Sequence, residues 1–354
     1  MGRPQTRLVK IDALRAFMER VLVAVGCRAE DAAAIAEPFL QADLAGTSTQ
    51  GLHHLSNLMV PTLRSGKVKL DARPRVVRKG AASALIDGGL GPGPLAGLHA
   101  AETAAAGAKA SGAYAVGVIN SNDLYFVGAY AERIAHAGCI GFVFTDAAPR
   151  VHPFGGTARA LGTNPLAIAV PTGGADPWVL DLATSAWSGG LIQQAIEHDE
   201  PLPAGVAVDP DGRPTTDATA AWMGALAAFG GHKGFGLSLS VALLSGALVG
   251  AESGQALTGW RGTDKGRVGN KGHLFLAVDP GAFGDPNEFR KRVDGTIAAI
   301  KASRSATGEG IRVAGERAFA ERASNLRAGT VPVYATTLAY AATLAAELNV
   351  APID

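Results

Sequence analysis

A chain of 354 residues with 32 lysines and arginines against 31 aspartates and glutamates is long enough to bury a sizeable core in one large or two ordinary domains, and it presents almost no net field to a polyanion. That balance, with no basic run interleaved with aromatics, argues against nucleic acid as a partner, and no stretch of about twenty residues is apolar enough to span a bilayer. Cys27 and Cys139 are the only thiols, neither with metal-ligand spacing, and the opening segment MGRPQTRLVKIDALRAF has no apolar signal-peptide core; a cytoplasmic setting and a small-molecule partner are expected.

The first third reads as helices. Asp12 is placed to cap "ALRAFMERVLVAVG", which carries Leu14, Phe17, Val21 and Leu22 on one stripe and stops at Gly26. A second helix is expected from about Ala29 through "EDAAAIAEPFLQADLAG", and a third in "GLHHLSNLMVPTLRSGK". Between them lies "GTSTQGLHHL" (46–55), where Ser48 or Thr49 is positioned as a cap. From about Val76 short β-rich runs alternate with alanine-rich helices: "SALIDG", a helix over 94–111, "YAVGVIN", a helix over 126–137, "IGFVFTD", "PLAIAVP" and "WVLDLAT". This is α/β material. Residues 261–272 read as a loop before the strand "HLFLAVDP", and the chain closes in alanine-rich helices. The expected organisation is a helical domain from 1–75 with 316–354, and an α/β cofactor-binding and substrate domain over 76–315.

Single motifs carry little chemistry here. In "ALIDGGLGPGPLAG", Gly91, Gly93 and Gly97 imitate a dinucleotide fingerprint, but the spacing is a variant and Pro92 and Pro94 remove amide donors. A plain strand-to-helix turn is the expected use. His53 and His54 are adjacent, so on a helix they point about a hundred degrees apart and cannot clamp one ion. No metal site is expected. No G-x-S-x-G elbow marks a hydrolase serine.

Phrases taken together say more: "PRVHPFGGTARALGTNPLAIAVP" (149–171), "VLDLATS" (179–185), "PAGVAVDPDGRPTTD" (203–217), "GGHKGFGLSLSVALLSGALVG" (230–250) and "RVAGERAFAERASNLRAG" (312–329). Across nearly its whole length the chain resembles the malate/L-lactate dehydrogenase family of the second type, which also holds sulfolactate and ureidoglycolate dehydrogenases, diketogulonate reductase and Δ1-piperideine-2-carboxylate reductase. The resemblance implies a non-Rossmann α/β fold, a mixed sheet with flanking helices plus a helical domain from the two ends of the chain. It also implies a homodimer and hydride transfer between NADH or NADPH and a C=O or C=N beside a carboxylate. Cofactor residues carried over by the resemblance are Asp181, Leu182, Ala183, Thr184 and Ser185, then His232 and Lys233, then Gly315, Glu316 and Arg317. One family hydroxyl is missing, since "TNASP" is here Thr145-Asp146-Ala147-Ala148-Pro149.

The family's catalytic positions are replaced. Its "D-S-H-G-V-x-R" pattern aligns Thr49 with the serine, Gln50 with the acid/base histidine and His54 with the arginine, and its "N-S-N-H-F-G" reads Asn120-Ser121-Asn122-Asp123-Leu124-Tyr125. Thr49, Gln50, His54 and Asp123 are therefore the candidate catalytic residues of an altered pocket. Glutamine cannot deliver the proton a developing alkoxide needs, and Asp123 adds negative charge, so an iminium, which arrives already protonated, is the expected substrate ahead of a 2-oxo acid. His53, His54 and His152 are the candidate substitute acids. The rival expectations are a dinucleotide-binding protein without turnover, and a lyase or isomerase on the same scaffold.

Overall fold

The computed structural model describes residues 5–257, 270–306 and 308–353. The N-terminal part runs β1 (Thr6–Lys10), α1 (Ile11–Ala24), α2 (Ala29–Leu44), a 3-10 turn at Ser48–Gln50, α3 (Leu52–His54), a π turn at Leu55–Met59 and α4 (Val60–Arg64). The middle holds β2 (Arg75–Lys79), β3 (Ser83–Asp87), α5 (Gly93–Ser111), β4 (Ala113–Ser121), α6 (Gly128–His136), β5 (Ile140–Thr145), β6 (Leu166–Val170) and β7 (Trp178–Leu182). After these come α7 (Gly189–Glu197), β8 (Ala207–Val208), α8 (Ala218–Met223), β9 (Ala225–Leu226), α9 (His232–Ala242) and β10 (Lys271–Val278). The chain closes with α10 (Pro286–Lys301), α11 (Glu316–Ala328), β11 (Thr330–Tyr334) and α12 (Ala335–Leu348).

The stripe expected on the first helix is buried: Leu14, Phe17, Val21 and Leu22 are fully enclosed. Its cap is not Asp12, which lies within the first turn. The helix begins a residue earlier because β1 pairs antiparallel with β11 and the Ile11 amide donates to Gly329 O (3.1 Å), so the tie between chain ends sets the start. Ser48 and Thr49 do not cap the third helix either. Asp43, at the end of α2, accepts from the Leu52 amide (2.8 Å) and fills the capping role from outside the local sequence.

The large sheet has strand order β2-β3-β4-β10-β5-β6-β7. Only β3 and β4 are parallel, joined by α5; every other neighbouring pair is antiparallel. This is the mixed sheet expected, and it differs from the parallel doubly wound sheet of a Rossmann domain. Alanines 100, 101, 104, 105 and 108 let α5 lie close on the sheet, where Tyr130 and Ile134 of α6 complete the core. The glycines of the false fingerprint serve the same packing: a Cβ on Gly97 would stand 2.6 Å from the Tyr130 ring, and one on Gly93 would overlap the Asp123 carbonyl oxygen.

A second apolar cluster joins α1, α2, the 52–63 segment, β11 and α12, and a third gathers Val151, Ile192, Leu202, Val206 and Leu226 around α7 and α8. Of the loop expected over 261–272, residues 261–269 lie outside the described residues. Lys271 and Gly272 already belong to β10, because Lys271 pairs with Ser121 of β4. No described helix is long and apolar enough to cross a membrane.

Candidate functional site

Where the helical N-terminal part meets the sheet, a cavity of about 870 Å³ opens. Its walls come from the 46–50 turn and His54, from the chain after β4 (Asp123 to Gly128), from the ends of β5 and β7, from the first residue of β10, and from the segment leading into α11. Thr49, Gln50, His54, Asp123, Asp181, Leu182, Ala183, Gly315 and Arg317 all line it, so residues from four separated phrases converge on one space. Ala148, where the family hydroxyl is missing, lines it too.

The remaining expected residues do not reach the cavity. Thr184 is buried behind it, donating to the Thr163 carbonyl (3.0 Å), and Ser185 donates to the Trp187 carbonyl (2.8 Å); both hold the wall rather than form its surface. Glu316 turns back to the Val313 amide (3.3 Å) and pairs with Lys301, which holds its carboxyl below the usual range. His232 and Lys233 sit exposed at the start of α9, outside the walls of this chain's cavity. Their helix packs against β5 and runs on into a turn that packs against β10.

The three candidate histidines separate in the same way. His54 faces the cavity, its Nδ1 2.9 Å from Gln50 Oε1, and since an amide oxygen only accepts, the proton lies on Nδ1. Its ring meets that of Tyr125 edge-on, centroids 6.4 Å apart. His53 points away and is buried with Nε2 3.3 Å from Glu197 Oε1, while His152 bonds through Nδ1 to the Pro153 carbonyl (2.9 Å) beyond the cavity wall. Asp43 fixes the whole turn from beneath. A Cβ on Gly51 would overlap its carboxylate, and burial pushes the Asp43 carboxyl up to about 7.

Lys271 changes the electrostatics expected of Asp123. Lys271 is 5% exposed, and its ammonium forms an ion pair with Asp123 Oδ1, so Asp123 brings a compensated charge instead of an isolated negative one. Sequence reading missed Lys271, although the buried alternation Lys271, His273, Phe275, Ala277 along β10 placed a lysine in the phase of the core. The ion pair rests on a neutral floor. His273 donates from Nε2 to the Asn122 carbonyl (3.1 Å) and accepts at Nδ1 from the Thr145 hydroxyl (2.7 Å); burial, reinforced by Lys271, pushes its pKa down to about 3. Burial raises Asp146, another unforeseen wall residue, to about 6.

With that geometry in view, residues 9–340 match the family model described as malate/L-lactate dehydrogenase. The chain belongs to this family. It is 37% identical over 296 residues to the L-sulfolactate dehydrogenase of Methanocaldococcus jannaschii, covering 84% of this chain and 85% of that one. Over 303 residues it is 36% identical to the Δ1-pyrroline-2-carboxylate reductase of Ancylobacter novellus, covering 85% and 87%. Among solved structures, malate dehydrogenase from Entamoeba histolytica superposes with a TM-score of 0.92 at 28% identity, covering 98% of this chain and 99% of that one.

As a member of the malate/L-lactate dehydrogenase family the chain is an oxidoreductase, and its cofactor class is NADH or NADPH. The cavity fits such a group. It extends from the polar floor at Asp123 to the segment around Gly315, whose φ of +88° and close approach to the Val179 backbone (3.0 Å for a built Cβ) admit no side chain. Arg312 and Arg317 supply cations on that wall.

Proposed function

We propose that this chain is an NAD(P)H-dependent reductase acting on a C=N or C=O bond beside a carboxylate, in a pocket altered at Thr49, Gln50, His54 and Asp123, with imines ahead of 2-oxo acids. Asp181, Leu182, Ala183, Gly315 and Arg317 would hold the dinucleotide, which supplies the hydride when bound. The observation that carries the imine preference is the amide of Gln50 in the cavity wall at the position of the family's acid: Gln50 has no acidic proton to give, and its Oε1 takes up the Nδ1 proton of His54. An iminium needs none. Asp123, paired with Lys271, brings a compensated charge to this pocket instead of an isolated negative one.

The test is kcat/KM for Δ1-pyrroline-2-carboxylate and for pyruvate, with NADPH and NADH. The imine is expected to lead by tenfold or more, about 1.4 kcal/mol in the barrier, and Gln50→His is expected to narrow the gap by raising pyruvate reduction. A wild type that strongly prefers pyruvate overturns the imine preference. Tight NADPH binding with no reduction of either would favour a binding protein without turnover.

We also propose a homodimer. Leu237, Leu239, Leu243 and Leu248 are exposed along α9 and the turn after it, beside His232 and Lys233. A second copy seated there would bury those leucines and offer its Lys233 to the dinucleotide. Lys233→Ala is then expected to weaken NADPH binding by roughly 1–3 kcal/mol, the range for a lost charge-assisted bond, although Lys233 lies outside the cavity of its own chain. Sedimentation should show a dimer at micromolar protein; a fully active monomer would remove the proposal.

A further inference from the structure

Lys271 is a cation with one described partner in a place built to aim it. An ammonium has three donors, and among the described residues only Asp123 accepts from it, while its side chain is almost wholly enclosed and lines the cavity. Other cations on the walls are differently placed: Arg150 stacks over the Trp222 ring at 3.9 Å, and Arg322 is engaged by Glu132 (2.7 Å) and Asp176 (2.8 Å). The register of β10 against β4 shifts between Lys271 and His273, an irregularity of the kind that re-aims a side chain at a sheet end. Just before it, Asn270 Oδ1 accepts from the Asn120 amide (2.9 Å), and Asn120 donates in turn to Asp87 Oδ1 (2.9 Å), which pins the start of the strand.

We infer that the Asp123–Lys271 pair reads the substrate as a zwitterion, Lys271 holding the carboxylate and Asp123 the iminium N–H. The inference rests on the reductase function proposed above and adds the residues that set its substrate. Where the family places an arginine, this chain has His54, bonded to Gln50, so the fixed charge for a carboxylate comes from β10 instead. A 2-iminium carboxylate carries a positive nitrogen and a negative carboxylate on neighbouring atoms, and a side-by-side carboxylate and ammonium match that pattern with opposite sign. A 2-oxo acid matches only the ammonium. An imine without a carboxylate matches only Asp123.

Three substrates separate these contacts: Δ1-pyrroline-2-carboxylate, Δ1-pyrroline and pyruvate, with dinucleotide affinity and thermal midpoint measured for every variant as a check on folding. Lys271→Met is expected to raise KM for the two carboxylates by about 10–100-fold, and by at least about tenfold more than for Δ1-pyrroline, which feels the change only through Asp123; Lys271→Arg should recover part of the loss. Asp123→Asn should raise KM for both imines more than for pyruvate. Equal effects of Lys271→Met on all three substrates, or none, overturn the assignment. Should the wild type reduce nothing, the reductase function fails, yet calorimetry with pyrrole-2-carboxylate in the presence of NADPH still decides the anchor. Binding weakened at least tenfold in Lys271→Met supports it; equal binding, or no binding to the wild type, overturns it.

Discussion

Gly93→Ala is expected to destabilise the protein by roughly 1–3 kcal/mol or more and to lower turnover beyond any loss of dinucleotide binding. Alanine ordinarily stabilises a helix relative to glycine by about 0.5–1 kcal/mol, so the sign here is set by packing. Gly93 opens α5, and a Cβ there would overlap the carbonyl oxygen of Asp123. Backbone cannot rotate aside as a side chain can. The displaced segment also contains Asn122, whose carbonyl accepts from His273 and whose amide donates to Gly91 O (2.9 Å), so the Asp123–Lys271 pair would lose its register with the cavity floor. Gly295, in the middle of α10 with open space around a built Cβ, is the control: Gly295→Ala should stabilise by a few tenths to about 1 kcal/mol. Urea unfolding of both variants checks the pair. A harmless Gly93→Ala would mean that the 122–124 segment yields easily and that its geometry does not position the site.

The second large effect is a pH dependence centred on Asp43. Its folded pKa of about 7 lies above the ordinary 3.8 because the carboxyl is buried, with the Leu52 amide only partly opposing that shift. A raised carboxyl pKa means that the folded state holds a proton the unfolded state has released. Its contribution is therefore fully present below about pH 4 and is lost as pH rises to 7. Asp43→Asn keeps an acceptor for Leu52 and removes the titration. The stability of the wild type relative to Asp43→Asn should thus fall by on the order of 2–4 kcal/mol between pH 4 and 7.5. His273 works in the opposite direction: with its pKa pushed down to about 3, its contribution is present above about 6.5 and lost as pH falls. Comparing wild type and variant at each pH cancels that term. Parallel stability curves would show that Asp43 is ionised in the fold. The 46–54 turn stands on this carboxyl, so the Gln50–His54 geometry should loosen over the same range, seen as a KM that rises towards pH 8 in the wild type and stays flatter in Asp43→Asn.

Much of the fold was legible because it is locally encoded. The stripe Leu14, Phe17, Val21, Leu22 announces a helix by period, and "IGFVFT", "LAIAV" and "WVLDL" announce strands by β-rich composition, since those patterns follow from the geometry of one element meeting one apolar surface. Caps were less legible. Asp12, Ser48 and Thr49 have the right chemistry at the right local spacing, but the start of α1 is fixed by pairing between the two chain ends, and Asp43 takes the Leu52 amide from the preceding helix.

The site divides along the same line. Sequence determined the family, because its phrases are short and contiguous, and from that resemblance came the expectation that Thr49, Gln50, His54 and Asp123 form the pocket and that the Asp181 and Gly315 phrases hold the dinucleotide. Only the tertiary structure decided what charge they meet. Strand β10 inserts between β4 and β5, which leave between them a span of about twenty residues in the chain but are not paired to each other, and this insertion carries Lys271 against Asp123 from 148 positions away. No local pattern encodes which strand will fill that gap, since strand order follows from burying the whole sheet at once. The same global packing turned His53 and His152 away from the cavity, kept His54 at its wall, and left His232 and Lys233 at the outer start of α9.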